Sequence, residues 1–138
     1  MKVILVLQTM ENFKLSTFKE GKEATFYIQS KGLHSGRPLR KPIPNCFCVE
    51  TEMENLYEIV FAMYKGRLFE PLICGSVIPF IRISEVNSLI NYTLNIYNPR
   101  HAERLKAIEK IEMLLHSMAS KIKLYGQMQT AICREVLT

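Results

Sequence analysis

The longest regular pattern of apolar and polar positions lies in residues 99–138. From Ile108 onward, apolar side chains recur in alternating steps of three and four residues, with Gln129 as the polar member of the series. This spacing is typical of a heptad stripe on one side of a helix. The apolar members are Ile108, Ile111, Leu115, Met118, Ile122, Tyr125, Ile132 and Val136. We predict one long helix that opens at Asn98-Pro99, since Asn is a good N-cap and Pro suits the first helical position.

The length of this helix favours a partner helix. Residues 99–138 would span about 58 Å at 1.5 Å per residue, roughly twice the diameter of a compact domain of this size. Ala119, Gly126 and Cys133 recur every seven residues along one edge, where small side chains let a second helix approach closely. We expect an antiparallel homodimer, with packing of the helix along its own domain as the alternative.

Shorter patterns before residue 99 predict a small sheet. Val3–Leu7 is a strand-like apolar run, and Phe13, Leu15 and Thr17 alternate with polar residues. Residues 25–29 and 46–49 are rich in strand-forming or apolar side chains and predict two more strands.

Two shorter helices are expected between this sheet and the long helix. Thr51 and Glu54 have the spacing of a capping box, which predicts a helix from about Leu56 to residue 65 or 66. Ser84 is expected to cap a short helix through Ile90, and residues 92–97 favour a strand. The predicted class is α+β, with an α+β domain at residues 1–98 and a long coiled-coil-type helix at residues 99–138.

The charge distribution adds a candidate binding surface. The net charge is +5, and the basic density peaks in a Gly- and Pro-containing stretch that contributes Lys31, Arg37, Arg40 and Lys41. A flexible basic loop is suited to phosphate contact, and glycines at 32 and 36 would let the backbone approach closely. The alternative is an ordinary solvated loop.

Composition argues against several other classes. Asp is absent, no phosphate-binding Gly-rich motif occurs, and no convergent set of titratable groups is visible, so we expect no enzymatic activity and no cofactor. Cys46 and Cys48 are one residue apart with no nearby histidine, which disfavours zinc and favours reduced cytosolic thiols. Val3–Leu7 is too short for a signal-peptide core or a membrane span, so we expect a cytoplasmic protein without membrane partners.

The segment Gly75-Ser76-Val77-Ile78-Pro79 resembles a motif of the specificity subunits of type I restriction-modification systems. The order of neighbouring parts is also similar: a helix from Leu56 to Phe69 comes before the motif, and a capped helix and a proline-marked long helix follow it. This chain has one recognition-like domain and one long helix, where that family has two of each. The sequence also looks like a short bacterial protein family of unknown function.

The resemblance implies a non-enzymatic DNA-binding protein whose homodimer would imitate a two-domain specificity subunit. It implies double-stranded DNA and a methyltransferase-type protein as partners, with Gly75, Ser76, Ile78 and Pro79 as a motif turn facing DNA. The alternative for that turn is a tight bend that packs the preceding helix on the sheet. Arg82 should point away from the core, because side chains alternate in extended chain, and it joins the basic loop as a candidate DNA contact. The rival function is a protein-interaction module that does not bind DNA.

Overall fold

The fold is described from a computed structural model for residues 12–138. Its strands are β1 (Phe13–Thr17), β2 (Phe26–Gln29), β3 (Pro38–Leu39) and β4 (Cys46–Thr51), and its α-helices are α1 (Leu56–Lys65), α2 (Ile83–Ile96) and α3 (Ala102–Leu137). Single 3₁₀ turns lie at Glu70–Leu72 and Pro99–His101. The predicted α+β class is confirmed, while the predicted run Val3–Leu7 lies outside the described residues.

The four described strands form one antiparallel sheet in the order β1-β4-β2-β3. The strands predicted near residues 13–17, 25–29 and 46–49 are confirmed, and β4 runs two residues beyond its predicted end. The short β3 was not predicted, because two residues are too few to show an alternating pattern. It forms a hairpin with β2, in which Pro38 lies opposite Ile28.

The two faces of the sheet bury different sets of side chains. Phe26 pairs with Val49 on one face, and the Phe26 ring meets the Tyr57 ring of α1 edge-on with centroids 5.3 Å apart. This helix-covered face carries most of the core. On the opposite face, Cys46 and Cys48 pack with Tyr27, and partly buried side chains from β3 and the connecting loops pack against them. The sheet is therefore apolar on both sides, and burial on the helix side is the larger stabilising contribution.

The predicted extent of α1 is confirmed, but the predicted capping box is wrong. The N-cap is Asn55, and its side chain makes no capping hydrogen bond. Thr51 is the last residue of β4, where it pairs with Phe13 of β1. Its hydroxyl donates to the Asn12 carbonyl at 2.6 Å and accepts from the Met53 amide at 3.1 Å. The Thr51 hydroxyl is therefore engaged at the end of β4, and it does not cap α1 as the predicted capping box requires.

The strand predicted at residues 92–97 is also wrong, because α2 continues as one helix from Ile83 to Ile96. Its N-cap is Arg82 and not Ser84. Val86, Ile90 and Leu94 are buried at steps of four residues, which places them on one side of a helix. Burial of this side outweighs the strand propensity of the individual residues near the C-terminal end of α2.

The chain divides into two compact units, of which the first ends at His101 and the second is Ala102–Thr138. The second unit is essentially α3, a helix of 36 residues, so the predicted long helix is confirmed. Before α3, the Asn98 side-chain oxygen accepts a hydrogen bond from the Arg100 amide at 3.0 Å. Pro99 begins a 3₁₀ turn there, and α3 itself begins at Ala102.

The apolar stripe of α3 is solvent-exposed in the single chain. No residue of α3 is buried, and the exposed large apolar side chains include Ile111, Leu115, Met118, Ile122, Tyr125, Ile132 and Val136. Continuous exposed apolar surfaces of this kind are typical of interaction sites.

Candidate nucleic-acid interface

The basic loop, defined as residues 31–41, begins with a tight turn that its own hydrogen bonds hold in place. The Ser35 hydroxyl donates to the Gly32 carbonyl at 2.7 Å, and Ser35 is buried. The Gly36 amide donates to the Gln29 carbonyl at 2.8 Å, which closes the turn onto the end of β2. Gly36 has φ of +95°, and a Cβ there would lie 2.7 Å from the Phe69 ring. The glycine therefore serves close packing of the loop on the core.

The motif turn, defined as Gly75–Pro79, is a loop closed by backbone bonds between its two flanking residues. The Cys74 amide donates to the Phe80 carbonyl at 2.8 Å, and the Phe80 amide donates back at 2.9 Å. Gly75 has φ of +94°, and a Cβ there would lie 2.5 Å from the Ile78 carbonyl oxygen. Only glycine fits this position without strain.

The basic loop and the motif turn are joined by backbone hydrogen bonds. The Gly32 amide donates to the Pro79 carbonyl at 2.8 Å, and the Ile81 amide donates to the Ser30 carbonyl at 3.0 Å. Lys31 and Phe80 form an antiparallel bridge between these two bonds. Two segments that are remote in sequence thus form one short ladder, in which Lys31 lies opposite Phe80 and close to Arg82.

Arg37 joins the same region through the side chain of Gln29. The Arg37 guanidinium donates to Gln29 Oε1 at 3.2 Å, and Gln29 Nε2 donates to the Lys31 carbonyl at 2.8 Å. One amide therefore links the Arg37 side chain to the backbone of Lys31. The ladder and the Gln29 link thus connect the backbone segments that carry Lys31, Arg37 and Arg82. We call these three exposed residues the cation cluster.

Arg40 and Lys41 lie at the other end of the basic loop. The Arg40 guanidinium carbon lies 3.5 Å from the centroid of the Tyr57 ring, and its Nη2 is 4.0 Å from Glu58 Oε1. Arg40 is three residues beyond Arg37, which is about 10 Å in extended chain. Arg40 thus attaches the loop to α1, and Lys41 follows it as an exposed residue.

The charge near the cation cluster is positive. Residues 31–41 and 74–82 together carry five Lys or Arg and no acidic residue. Arg82 is 4.0 Å from Glu85, one turn into α2, and both side chains are partly exposed. Exposed pairs of this kind contribute about 0–1 kcal/mol, so Arg82 can exchange Glu85 for another anion at little cost.

Exposed aliphatic side chains lie at the tips of both turns; Ile78 was named from the sequence, whereas Leu33 and Val77 were not. Leu33 is 84% exposed, Val77 is 89% exposed and Ile78 is 62% exposed. Each of these side chains lies in a short segment bounded by Gly or Pro residues. An apolar residue in the middle of such a turn is the sequence signal that indicates an exposed aliphatic side chain. The other motif-turn residue singled out from the sequence, Ser76, is also exposed.

The buried thiols are suited to packing and not to chemistry. Burial raises the pKa of both Cys46 and Cys48 above the ordinary thiol value, so both are neutral at physiological pH. The Cys46 thiol donates to the Ile43 carbonyl at 3.0 Å. Within residues 12–138, no group of three or more His, Cys, Asp or Glu side chains is placed to hold a metal ion.

The fold and this surface define a small α+β protein with exposed cations beside a backbone ladder and a long helix that carries an exposed apolar stripe. Residues 15–135 match the model described as "Family of unknown function (DUF6943)", and the chain belongs to that family. No curated protein and no solved structure matches the chain. From residue 12 onward, no helix is long and apolar enough to cross a membrane.

Proposed function

We propose that this protein is a non-enzymatic, homodimeric DNA-binding protein that contacts duplex phosphates through Lys31, Arg37 and Arg82. The observation that carries the proposal is the backbone ladder between residues 30–32 and 79–81. It joins the backbone at Lys31 to the segment that leads into Arg82, and both of these side chains are exposed.

The chemistry of the three cations suits phosphate contact. Guanidinium groups bind phosphate oxygens with two parallel hydrogen bonds, and an ammonium group adds a point charge. Arg37 donates to a neutral amide and Arg82 faces Glu85 at 4.0 Å. Neither arrangement neutralises its guanidinium through a short, buried ion pair. Phosphate can therefore replace these weak partners.

The backbone amides of the two glycines contribute less than their positions in the sequence imply. The Gly32 amide donates to Pro79 and the Gly36 amide donates to Gln29. Both donors are used within the protein, so phosphate binding would rest on side chains. Such contacts favour DNA binding with little sequence preference, because phosphates carry no direct sequence information.

Dimerisation through α3 would double this surface. The exposed stripe from Ile111 to Val136 extends over about 38 Å at 1.5 Å per residue. Heptad spacing lets the stripe of a second copy interlock with it, and a second copy buries the same side chains. Two cation clusters on one dimer raise affinity through effective concentration.

The resemblance of the motif turn to type I specificity subunits supports the same proposal. A homodimer would supply two recognition-like units and two long helices, as one specificity subunit does. A methyltransferase-type protein is then the proposed partner, and the cytoplasm is the proposed compartment.

A salt titration tests DNA binding. Affinity for a generic duplex is measured at two salt concentrations for the wild type and for Lys31→Ala/Arg82→Ala. We expect weaker binding by the variant and a salt slope smaller by about two, roughly 0.9 per lost phosphate contact. Lys14→Ala/Lys19→Ala is the matched control, because it removes the same charge from exposed positions elsewhere.

Two outcomes would contradict the proposal. Equal losses in the variant and the control would assign binding to net charge alone. No binding by the wild type at low salt would favour the rival function, a protein-interaction module that assembles through α3. The exposed apolar stripe supports this rival independently of any DNA contact.

A further inference from the structure

We propose that Leu33 and Ile78 form an apolar wedge that enters the minor groove of bound DNA and partly unstacks one base step. This inference rests on the proposed DNA binding and adds a function that the cations alone do not supply. It is drawn from the two exposed aliphatic side chains that lie next to the residues of the Gly32–Pro79 hydrogen bond.

The ladder fixes the two aliphatic residues beside one another. Leu33 directly follows Gly32, and Ile78 directly precedes Pro79, the two residues whose amide and carbonyl are 2.8 Å apart. Leu33 is 84% exposed and Ile78 is 62% exposed, so neither contributes much to the core. The two side chains therefore rise from adjoining points of the surface.

Both turns are built to hold these tips outward. The Ser35 hydroxyl and amide both bond the Gly32 carbonyl, which fixes the turn that carries Leu33. Gly75 allows the Ile78 carbonyl to approach closely on the inner side of the motif turn. A rigid tip costs little conformational entropy on insertion, which favours its use as a wedge.

The chemistry around the tips favours DNA over other partners. Lys31 precedes Gly32 and Arg82 follows the ladder, so a cation accompanies each aliphatic tip. Minor-groove proteins combine such cations with inserted Leu or Ile side chains, which kink the duplex by about 20–90°. Two protruding aliphatic side chains next to cations suit insertion between base pairs.

Fluorescence measurements on a labelled duplex test the wedge. The probe is a 25-base-pair duplex with a central TA step, end labels for energy transfer and 2-aminopurine at the step, which is a deformable sequence. With the wild type we expect increased energy transfer, from bending, and increased 2-aminopurine emission, from unstacking. Leu33→Ala/Ile78→Ala should lose both signals and keep the wild-type salt slope.

The controls separate the wedge from the underlying DNA binding. Leu68→Ala removes another partly exposed leucine and should keep both signals. Wild-type binding without bending or unstacking would overturn the wedge and leave the proposed function standing. An absence of DNA binding would overturn both. Binding to vesicles with phosphatidylserine that depends on Leu33 and Ile78, without a DNA signal, would assign the tips to a lipid surface.

Discussion

The Gly32 amide donates a 2.8 Å hydrogen bond to the Pro79 carbonyl. This bond joins the turn of the basic loop to the end of the motif turn, so the two form one structural feature. The motif turn is held to the basic loop by this bond, and the side chains at its tip are exposed. The two interpretations of the motif turn drawn from the sequence, structural bend and exposed binding element, are thus compatible within one turn.

Gly75 gives the first prediction about this feature. Gly75→Ala should destabilise the fold by about 2–4 kcal/mol, because it combines a left-handed backbone with a clash against the Ile78 carbonyl. Gly21 also has positive φ, yet a Cβ there meets nothing within 4 Å. Gly21→Ala should cost only about 1 kcal/mol. Urea unfolding of both variants gives the comparison, and equal losses would show that the motif turn relaxes around the added methyl group.

Arg40 gives the second prediction. Arg40→Ala should destabilise the fold by about 0.5–1 kcal/mol, because it removes the cation–π contact with Tyr57. Lys41→Ala is the neighbouring control and should be within about 0.5 kcal/mol of the wild type, as expected of a surface change. Thermal unfolding measures both. A larger effect of Lys41→Ala would contradict the assignment of Arg40 as the residue that anchors the loop.

The secondary structure could be predicted where local periodicity and burial agree. The stripe of α3 and the alternation of β1 are both visible in the sequence, because each is a local pattern. The segment after Ile90 was different, since its β-branched and aromatic residues favour a strand locally. The burial of Leu94, one turn beyond Ile90, favours continuation of the helix, and burial requires tertiary packing.

The candidate site was only partly predictable for a similar reason. The cations could be named from the sequence, but the ladder that brings Lys31 near Arg82 depends on a long-range backbone pairing. Arg37 and Arg40 looked equivalent in sequence. The structure directs Arg37 toward Gln29 and places Arg40 on the Tyr57 ring, because successive positions of a hairpin meet different neighbours.

The buried thiols give the third prediction, which concerns alkaline pH. Burial raises the folded-state pKa of Cys46 and Cys48 above the 9.0 of an ordinary thiol. Well below pH 9 both thiols are neutral in the folded and unfolded states, and their contribution to stability is complete. As pH rises further, the unfolded chain loses these protons first, so stability falls until the folded-state pKa is passed. The loss is up to about 1.4 kcal/mol per pH unit for each thiol.

Urea unfolding from pH 8 to 10.5 under reducing conditions measures this loss. Cys46→Ala/Cys48→Ala should lower overall stability and flatten the pH dependence. Cys133→Ala removes an exposed thiol and should leave the dependence as in the wild type. If the double variant keeps the full alkaline loss, groups other than these thiols are responsible.

The fourth prediction concerns self-association through α3. Leu115→Asp/Ile122→Asp should give a monomer, because it places two charges in the centre of the apolar stripe. Ser120→Asp/Gln127→Asp adds the same charge on the opposite side of the helix and should remain a dimer. Sedimentation at tens of micromolar, about the Kd of a weak dimer, distinguishes the two states. A monomeric wild type would contradict the proposed dimer.

The fifth prediction is that the two α3 helices of the dimer are antiparallel. In an antiparallel pair, the edge that carries Ala119, Gly126 and Cys133 faces the same edge of the second copy, so small residues oppose small residues and the helices approach closely. In a parallel pair this edge would face the opposite one, where larger side chains such as Met128 lie.

Ile132→Cys in a Cys133→Ala background tests the orientation, because residues in the seam of a parallel dimer lie opposite their own copies. A disulfide needs Cα atoms about 4.4–6.8 Å apart, and in an antiparallel pair with long overlap the two introduced thiols are far from each other. Mild oxidation at the concentration at which sedimentation shows the dimer should therefore give no cross-link, and rapid formation of a disulfide-linked dimer would show that the helices are parallel.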